Sequence, residues 1–304
     1  MSKFVNVAGL VFSVDFPSFC DGWSLPDNYA PFMTYEHALC GDAGGKLLFS
    51  LDANISDEPD IPEAKILYDG ISDKPEMPLV RVSATTEGEM MLELAPSQKS
   101  DVCAYLITDR YYSCGHLHIL DRKLLRFALD NALMIMYSFA SSVRGALEMH
   151  ASVVVFRGRG YMFLGKSGTG KSTHSRLWIE NIPSVHLLND DNPIVRTLPD
   201  GTIRVYGSPW SGKTPCYVND SYPLGAVVRL RQSDRNHMVK MGTVESYASL
   251  YSSVSGFKAD ERIADGLHDT MEKLVTSVPC YLLDCLPDRE AALLCNSIAV
   301  GDNG

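Results

Sequence analysis

The segment "GKSGTGKS", Gly165 to Ser172, has the residue types and spacing that hold nucleotide phosphates. It matches GxxxxGK[ST], and its context strengthens the match: the apolar run "YMFL" precedes it and a helix-competent segment follows. The glycines let backbone N–H groups turn inward onto phosphate oxygens. A helix N-terminus adds the positive end of its dipole. In this chemistry Lys171 reaches the β- and γ-phosphates and Ser172 Oγ ligates Mg²⁺. The expected nucleotide-binding set is Gly165, Lys166, Ser167, Gly168, Thr169, Gly170, Lys171, Ser172 and Thr173. The expected ligands are ATP and Mg²⁺.

Downstream of Lys171, by about one helix and one strand, "LLNDDNP" (residues 187–193) supplies adjacent carboxylates, Asp190 and Asp191. They are expected at a strand end beside the phosphate loop, where ligand sites of open α/β sheets lie. One can bind Mg²⁺. The other can activate water, take a proton from an acceptor hydroxyl, or cap the turn that "DNP" signals. The pair alone does not separate these roles.

His150 opens the run "ASVVVF". If residues 151–156 and 161–164 pair as a hairpin around 157–160, Phe156 faces Tyr161 and His150 falls opposite Ser167. There it could orient the γ-phosphate or stabilise its charge. Trp210 and Lys213 lie in "PWSGK", after the "RVYG" strand. Lys213 is a phosphate or acidic-acceptor contact, or an ordinary surface residue; Trp210 contacts substrate or packs under the loop. Arg229 and Arg231 alternate within an apolar strand and so share a face. Two guanidiniums there need anions or solvent. "CGHLH" puts Cys114, His116 and His118 on one strand face. No matching ligand cluster stands elsewhere, so these read as strand residues rather than a metal site.

Stepping along the chain, strand-like runs are expected at 3–14, 46–51, 64–68, 79–85, 89–95 and 103–118. Acidic, Pro-punctuated stretches such as "ISDEPDIPEA" separate them as surface loops. Residues 1–118 thus read as a β-rich module. Apolar residues recur at helical spacing over 121–143, with Gly145 as the stop, so 119–145 reads as a helix connecting two modules. From 146 to 304 strands and helices mix: strands at "ASVVVF", "YMFL", 184–189, "TIRVYG", "GAVVRLRQ" and "PCYLLDC", and helices at 172–181, 243–254, 259–276 and 287–299. This pattern argues for an α/β (α+β) fold class.

Of 304 residues, 45% are hydrophobic and 21% charged, which are globular proportions. The net charge of −10 argues against nucleic acid and anionic membrane as partners. No stretch reaches the roughly 18 apolar residues that span a bilayer. Residues 1–16 alternate and lack the continuous apolar core of a signal peptide, so a cytoplasmic protein with free thiols at its eight cysteines is expected.

The segment "MHASVVVFRGRGYMFLGKSGTGKST", with "NDD", "VYGSPWSGK", "YPLGAVVRLRQSDRN" and "VPCYLLD", resembles the catalytic domain of HPr kinase/phosphorylase and the wider HPr-kinase-like group. The resemblance covers roughly 145–290. It implies a phosphoenolpyruvate-carboxykinase-like P-loop kinase domain following the β-rich N-terminal module. It also implies an ATP-dependent phosphotransferase acting on a hydroxyl acceptor: a Ser or Thr of a protein or peptide, or a small hydroxylated molecule. In this group a His opens the hairpin before the phosphate loop, which His150 matches. The paired aspartates serve as base and metal ligand; here Asp190 is expected as base, Asp191 with Ser172 as Mg²⁺ ligands, and His150 and Lys171 on the γ-phosphate charge. HPr kinases are hexamers, so a homo-oligomer is also implied. "IRVYGSPW" lacks the Glu of the signature of true HPr kinases, so the resemblance leaves the acceptor open. An ATP-binding regulatory module without transfer chemistry and a small carboxykinase-like enzyme are the competing expectations.

Overall fold

The computed structural model describes residues 2–16, 24–35, 46–55, 59–212 and 214–301. The chain divides into two units, Met1–Ser141 with Lys258–Glu261, and Ser142–Phe257 with Arg262–Gly304. Each is mixed α/β (α+β), built on one large sheet of mixed strand direction. No helix among the described residues is long and apolar enough to cross a membrane.

The first sheet holds β1 (Lys3–Val7), β2 (Leu10–Asp15), β3 (Met33–Thr34), β4 (Ser50–Ile55), β5 (Ala64–Asp69), β6 (Leu79–Thr85), β7 (Met90–Ala95), β8 (Ala104–Thr108) and β9 (Cys114–Ile119). Their spatial order is β3-β1-β2-β4-β9-β8-β7-β6-β5. Two runs expected as single strands are hairpins instead. Ala8 (φ 52°) and Gly9 (φ 78°) fold residues 3–14 back on themselves. Such a two-residue turn needs positive φ at both positions. In 103–118, the Asp109 side chain accepts from Ser113 N and Cys114 N and closes a turn between β8 and β9.

The helix expected as a connector over 119–145 is α1 (Leu125–Ser141), and it belongs to the first unit. Its apolar face buries Leu129, Leu133, Met136 and Tyr137, and the Tyr137 hydroxyl donates to Val7 O at 3.1 Å. That burial makes it a core element of this unit. Cys114, His116 and His118 do share one side of β9, with His116 Nδ1 3.5 Å from Asp52 Oδ2. Among the described residues no group of three or more His, Cys, Asp or Glu side chains is placed to hold a metal. The six cysteines among the described residues are free.

In the second unit β10 (Ala146–Glu148), β11 (Ala151–Phe156), β12 (Arg159–Leu164), α2 (Lys171–Asn181), β13 (His186–Asp191), β14 (Ile194–Thr197), β15 (Ile203–Tyr206) and β16 (Ser221–Gln232) follow in order. They are joined by β17 (His237–Lys240), α3 (Thr243–Tyr251), α4 (Glu261–Ser277), β18 (Cys280–Cys285) and α5 (Arg289–Gly301). The main path of the sheet is β10-β14-β15-β16-β12-β11-β13, with β18 parallel to β16 and β17 on the free side of β18. The twelve-residue β16 is the hub: it lies parallel to both β12 and β18 and antiparallel to β15.

The β11–β12 hairpin differs from expectation by two residues. Arg157 (φ 50°) and Gly158 (φ 73°) form a two-residue turn, so Phe156 pairs with Arg159 rather than Tyr161. "RGRG" thus contributes its second Arg-Gly to the strand. Continued, this register sets His150 opposite Gly165 instead of Ser167.

The core between sheet and helices is aromatic. Trp178 of α2 lies 5.4 Å from the Tyr161 ring and 5.5 Å from Phe163. Its indole N–H donates to His174 Nε2 at 3.1 Å. Burial pushes the His174 pKa down to about 4, so the ring is a neutral acceptor there at pH 7. These contacts fix the helix that starts at the phosphate loop.

Candidate functional site: a phosphate loop joined to two carboxylates

Three strands reach the same level at one end of the second sheet. Ala151 pairs with Leu164 on one side and with Asp191 on the other. Leu164 leads straight into the phosphate loop, and Asp191 ends β13. His150, one residue before Ala151, therefore stands between the loop and the aspartates. Sequence proximity did not require this; the antiparallel β11 between two parallel neighbours does.

The phosphate loop has the backbone its glycines predict. Gly168 (φ 83°) and Gly170 (φ 106°) occupy the left-handed region, and Gly170 precedes α2 directly. The Lys171 ammonium, 9% exposed, donates to Gly165 O at 3.0 Å and to His150 Nε2 at 2.9 Å. Lysine can only donate, so Nε2 is the acceptor nitrogen and Nδ1 carries the hydrogen. Nδ1 lies 2.9 Å from Asp191 Oδ1. Lys171, His150 and Asp191 thus form one chain of polar contacts. Burial pulls the Lys171 pKa below its ordinary value, against the opposing pull of Asp191 and Asp190.

The other carboxylate does something different. Asp190 is 5% exposed, and its Oδ1 accepts from Ser172 Oγ at 3.0 Å. Asp191 keeps about a third of its side chain exposed (35%), as does His150 (41%). A bulge in the β11–β13 pairing places Val153 opposite Asn189 and Val154 opposite Leu187, so one extra residue re-aims the chain just before the acids. Asp191 itself has φ 137°, a backbone state that side-chain-bearing residues rarely adopt.

A second loop holds the aspartates in place. Gly212 N and Ser211 Oγ both donate to Asp190 O, at 2.7 and 3.0 Å. A Cβ on Gly212 would stand 3.1 Å from Asp191 Cβ, so glycine lets this loop lie close. The fully buried Asn189 donates to Ser208 Oγ (3.2 Å) and Trp210 O (3.1 Å) and accepts from Asn192 N at 2.9 Å. Trp210 is only 4% exposed, which fits packing beneath the loop, one of the two roles expected for it. Lys213 lies outside the described residues. Arg231 is tied to Asp284 by two hydrogen bonds, whereas Arg229 donates, among the described residues, only to Ser252 Oγ, at 2.9 Å.

A family model described as SynChlorMet cassette protein ScmC matches residues 113–287, more than half of the chain. The chain belongs to the ScmC family. No curated protein matches it. The ScmC match takes in β9 to β18, and with them His150, the phosphate loop, both aspartates and Arg229.

In this ScmC chain the residue that sequence reasoning missed is Glu148. It is 2% exposed, and its Oε2 has no hydrogen-bond partner among the described residues. Burial, reinforced by the charge of Asp191, pushes its pKa up to about 8. The signal was present: one acid inside the otherwise apolar run "GALEMHASVVVF". Between its ordinary 4.5 and about 8 the folded protein keeps this proton while the unfolded chain releases it. Its contribution to stability therefore falls as pH rises through that window. Glu148→Gln, neutral at every pH, is expected to raise Tm clearly at about pH 8 and hardly at about pH 5. Tm against pH checks this, and equal shifts at both pH values would contradict it.

Proposed function

We propose that the chain is an ATP-dependent phosphotransferase that moves the γ-phosphate to a hydroxyl acceptor on a phosphoenolpyruvate-carboxykinase-like P-loop fold. The observation that carries this reading is the continuous contact chain from Lys171 of the phosphate loop through His150 to Asp191. A loop built only to sense a nucleotide needs no solvent-accessible carboxylate aligned by a histidine.

The two aspartates exchange the roles expected from the sequence. The base must reach the acceptor hydroxyl, and Asp191 is the exposed carboxylate while Asp190 is nearly buried. Asp191 takes the acceptor's hydroxyl proton as the acceptor oxygen bonds to the γ-phosphorus and the bond from that phosphorus to the β-phosphate oxygen breaks, releasing ADP. His150 Nδ1–H orients Asp191 for this. On ATP binding Lys171 exchanges Gly165 O and His150 for phosphate oxygens and balances the charge that builds there.

Ser172 Oγ, at the start of α2, and the Asp190 carboxylate, on β13, fit Mg²⁺: both are hard oxygen donors, 3.0 Å apart. When bound, Mg²⁺ neutralises phosphate charge. The smaller of two cavities at the loop, about 270 Å³, is lined by Thr173, Leu177, Leu286 and Pro287 with no charged side chain, which suits a nucleoside. Free cysteines fit a reducing cytoplasm.

Incubating the protein with γ-labelled ATP, Mg²⁺ and lysate tests the reading. A labelled acceptor that disappears without Mg²⁺ is expected. Neither a labelled acceptor nor released phosphate would favour a regulatory module, and oxaloacetate-dependent loss of ATP would favour a carboxykinase.

A further inference from the structure

The larger cavity at the phosphate loop is an open groove of about 700 Å³. Lys166 and Thr169 of the loop form one part of its lining, with Arg229 beside them; Val239, Met241 and Ala248 supply an apolar part. Arg229 sits level with Leu164, the last strand residue before the loop, because β12 and β16 run parallel in that register. Its helper Ser252 adjoins Ser253, whose carbonyl accepts from His150 N at 2.7 Å. The groove therefore opens beside the Gly165–Ser172 loop, on its β16 side.

Its charges are unbalanced. Arg231 is neutralised by Asp284, and Glu245 is turned to Gly242 N at the start of α3. Arg229 is partly exposed as a residue, and among the described residues its guanidinium, with five donors, makes one hydrogen bond, a solvent-exposed one to a neutral hydroxyl. Among the described residues neither Arg229 nor Lys166 meets a carboxylate. Guanidinium geometry suits carboxylate and phosphate groups. ATP's own phosphates already have Lys171 and the loop amides.

We propose that this groove is the acceptor site and that Arg229, with Lys166, selects an acceptor carrying a carboxylate or phosphate close to its hydroxyl. The proposal rests on the kinase reading above. It gives that reading a substrate class: a Ser or Thr flanked by acidic residues, or a small hydroxy acid.

Calorimetry on the full chain, loaded with Mg²⁺ and a non-hydrolysable ATP analogue, separates the outcomes. The probes are acetyl-Glu-Ser-Glu-amide against acetyl-Gln-Ser-Gln-amide, and glycerate against glycerol. At least one acidic probe is expected to bind about tenfold more tightly than its neutral match, and which one does so tells peptide from small molecule. Arg229→Ala should erase that preference and Arg229→Lys keep part of it, with analogue affinity changed by less than about twofold. Lys166→Ala, at an exposed position where folding is not at stake, should weaken the same probe. Equal binding of acidic and neutral probes to the analogue-loaded protein would overturn the proposal. So would an Arg229→Ala variant that loses the analogue while keeping the probe preference. Failure of the parent protein to bind the analogue would instead remove the kinase reading, and the groove assignment with it.

Discussion

Lys171→Met is expected to lower phosphoryl transfer by about 10²–10³-fold or more, because it removes the one buried ammonium aimed at the phosphates. Met keeps the unbranched stem and its packing, so the change isolates the charge. The parent ammonium is 9% exposed and is held by Gly165 O and His150 Nε2. The loop therefore sets its position before ATP arrives, and little reorganisation is needed when phosphate oxygens replace these partners. Its loss also removes a positive charge that interacts with Asp190 and Asp191. Weaker ATP binding is expected alongside the loss of rate. Single-turnover transfer from labelled ATP, with Tm measured in parallel, checks this. Wild-type-like transfer in a folded Lys171→Met protein would sink the assignment of the loop as a catalytic phosphate site.

The second large effect separates the two carboxylates. Asp191→Asn is expected to keep Mg²⁺-dependent binding of an ATP analogue and to lose transfer by about 10²–10⁴-fold, the usual contribution of a positioned base. Asn can still accept from His150 Nδ1–H but cannot take a proton. Asp190→Asn is expected to do the reverse at the binding step and weaken Mg²⁺-dependent nucleotide affinity, since it alters the partner of Ser172 Oγ. If Asp190→Asn proves to be the variant that binds normally and does not transfer, the roles assigned from exposure are wrong.

Much of this site was legible because its parts are local. The phosphate loop is a contiguous motif, and its glycines, its Lys and the following helix were read from adjacent residues. The strand alternation and the acidic, Pro-marked loops of the first unit were local too. What misled was turn length. Positive φ at Ala8 and Arg157, both residues with side chains, is not announced by composition, so one hairpin was read as a single strand and another slipped by two residues. His150 still reached the loop, through Lys171 rather than Ser167, because the strand order fixes it there regardless of the slip. The difference in exposure between Asp190 and Asp191 was not legible. It depends on a bulge and a positive φ that decide which carboxylate is buried. Arg229 was flagged by an alternation argument, but its freedom from Asp284, the partner Arg231 takes, follows from β18 lying beside β16, a contact between distant segments.

That last strand pairing has a kinetic meaning. Val228 of β16 pairs with Phe163 on one side and Tyr281 on the other, so β12, held on its first side by β11, gains its second neighbour only from residues synthesised later. On the ribosome the β11–β12 hairpin and the loop after it emerge first, before β16 exists to pair with the open side of β12 and β18 to flank β16. Non-local pairings of this kind repay their loop-closure entropy late. The nascent chain would complete the sheet around the Gly165–Ser172 loop only near the end of translation, and mutations in β18 would act on the rate at which that sheet forms as much as on its final stability.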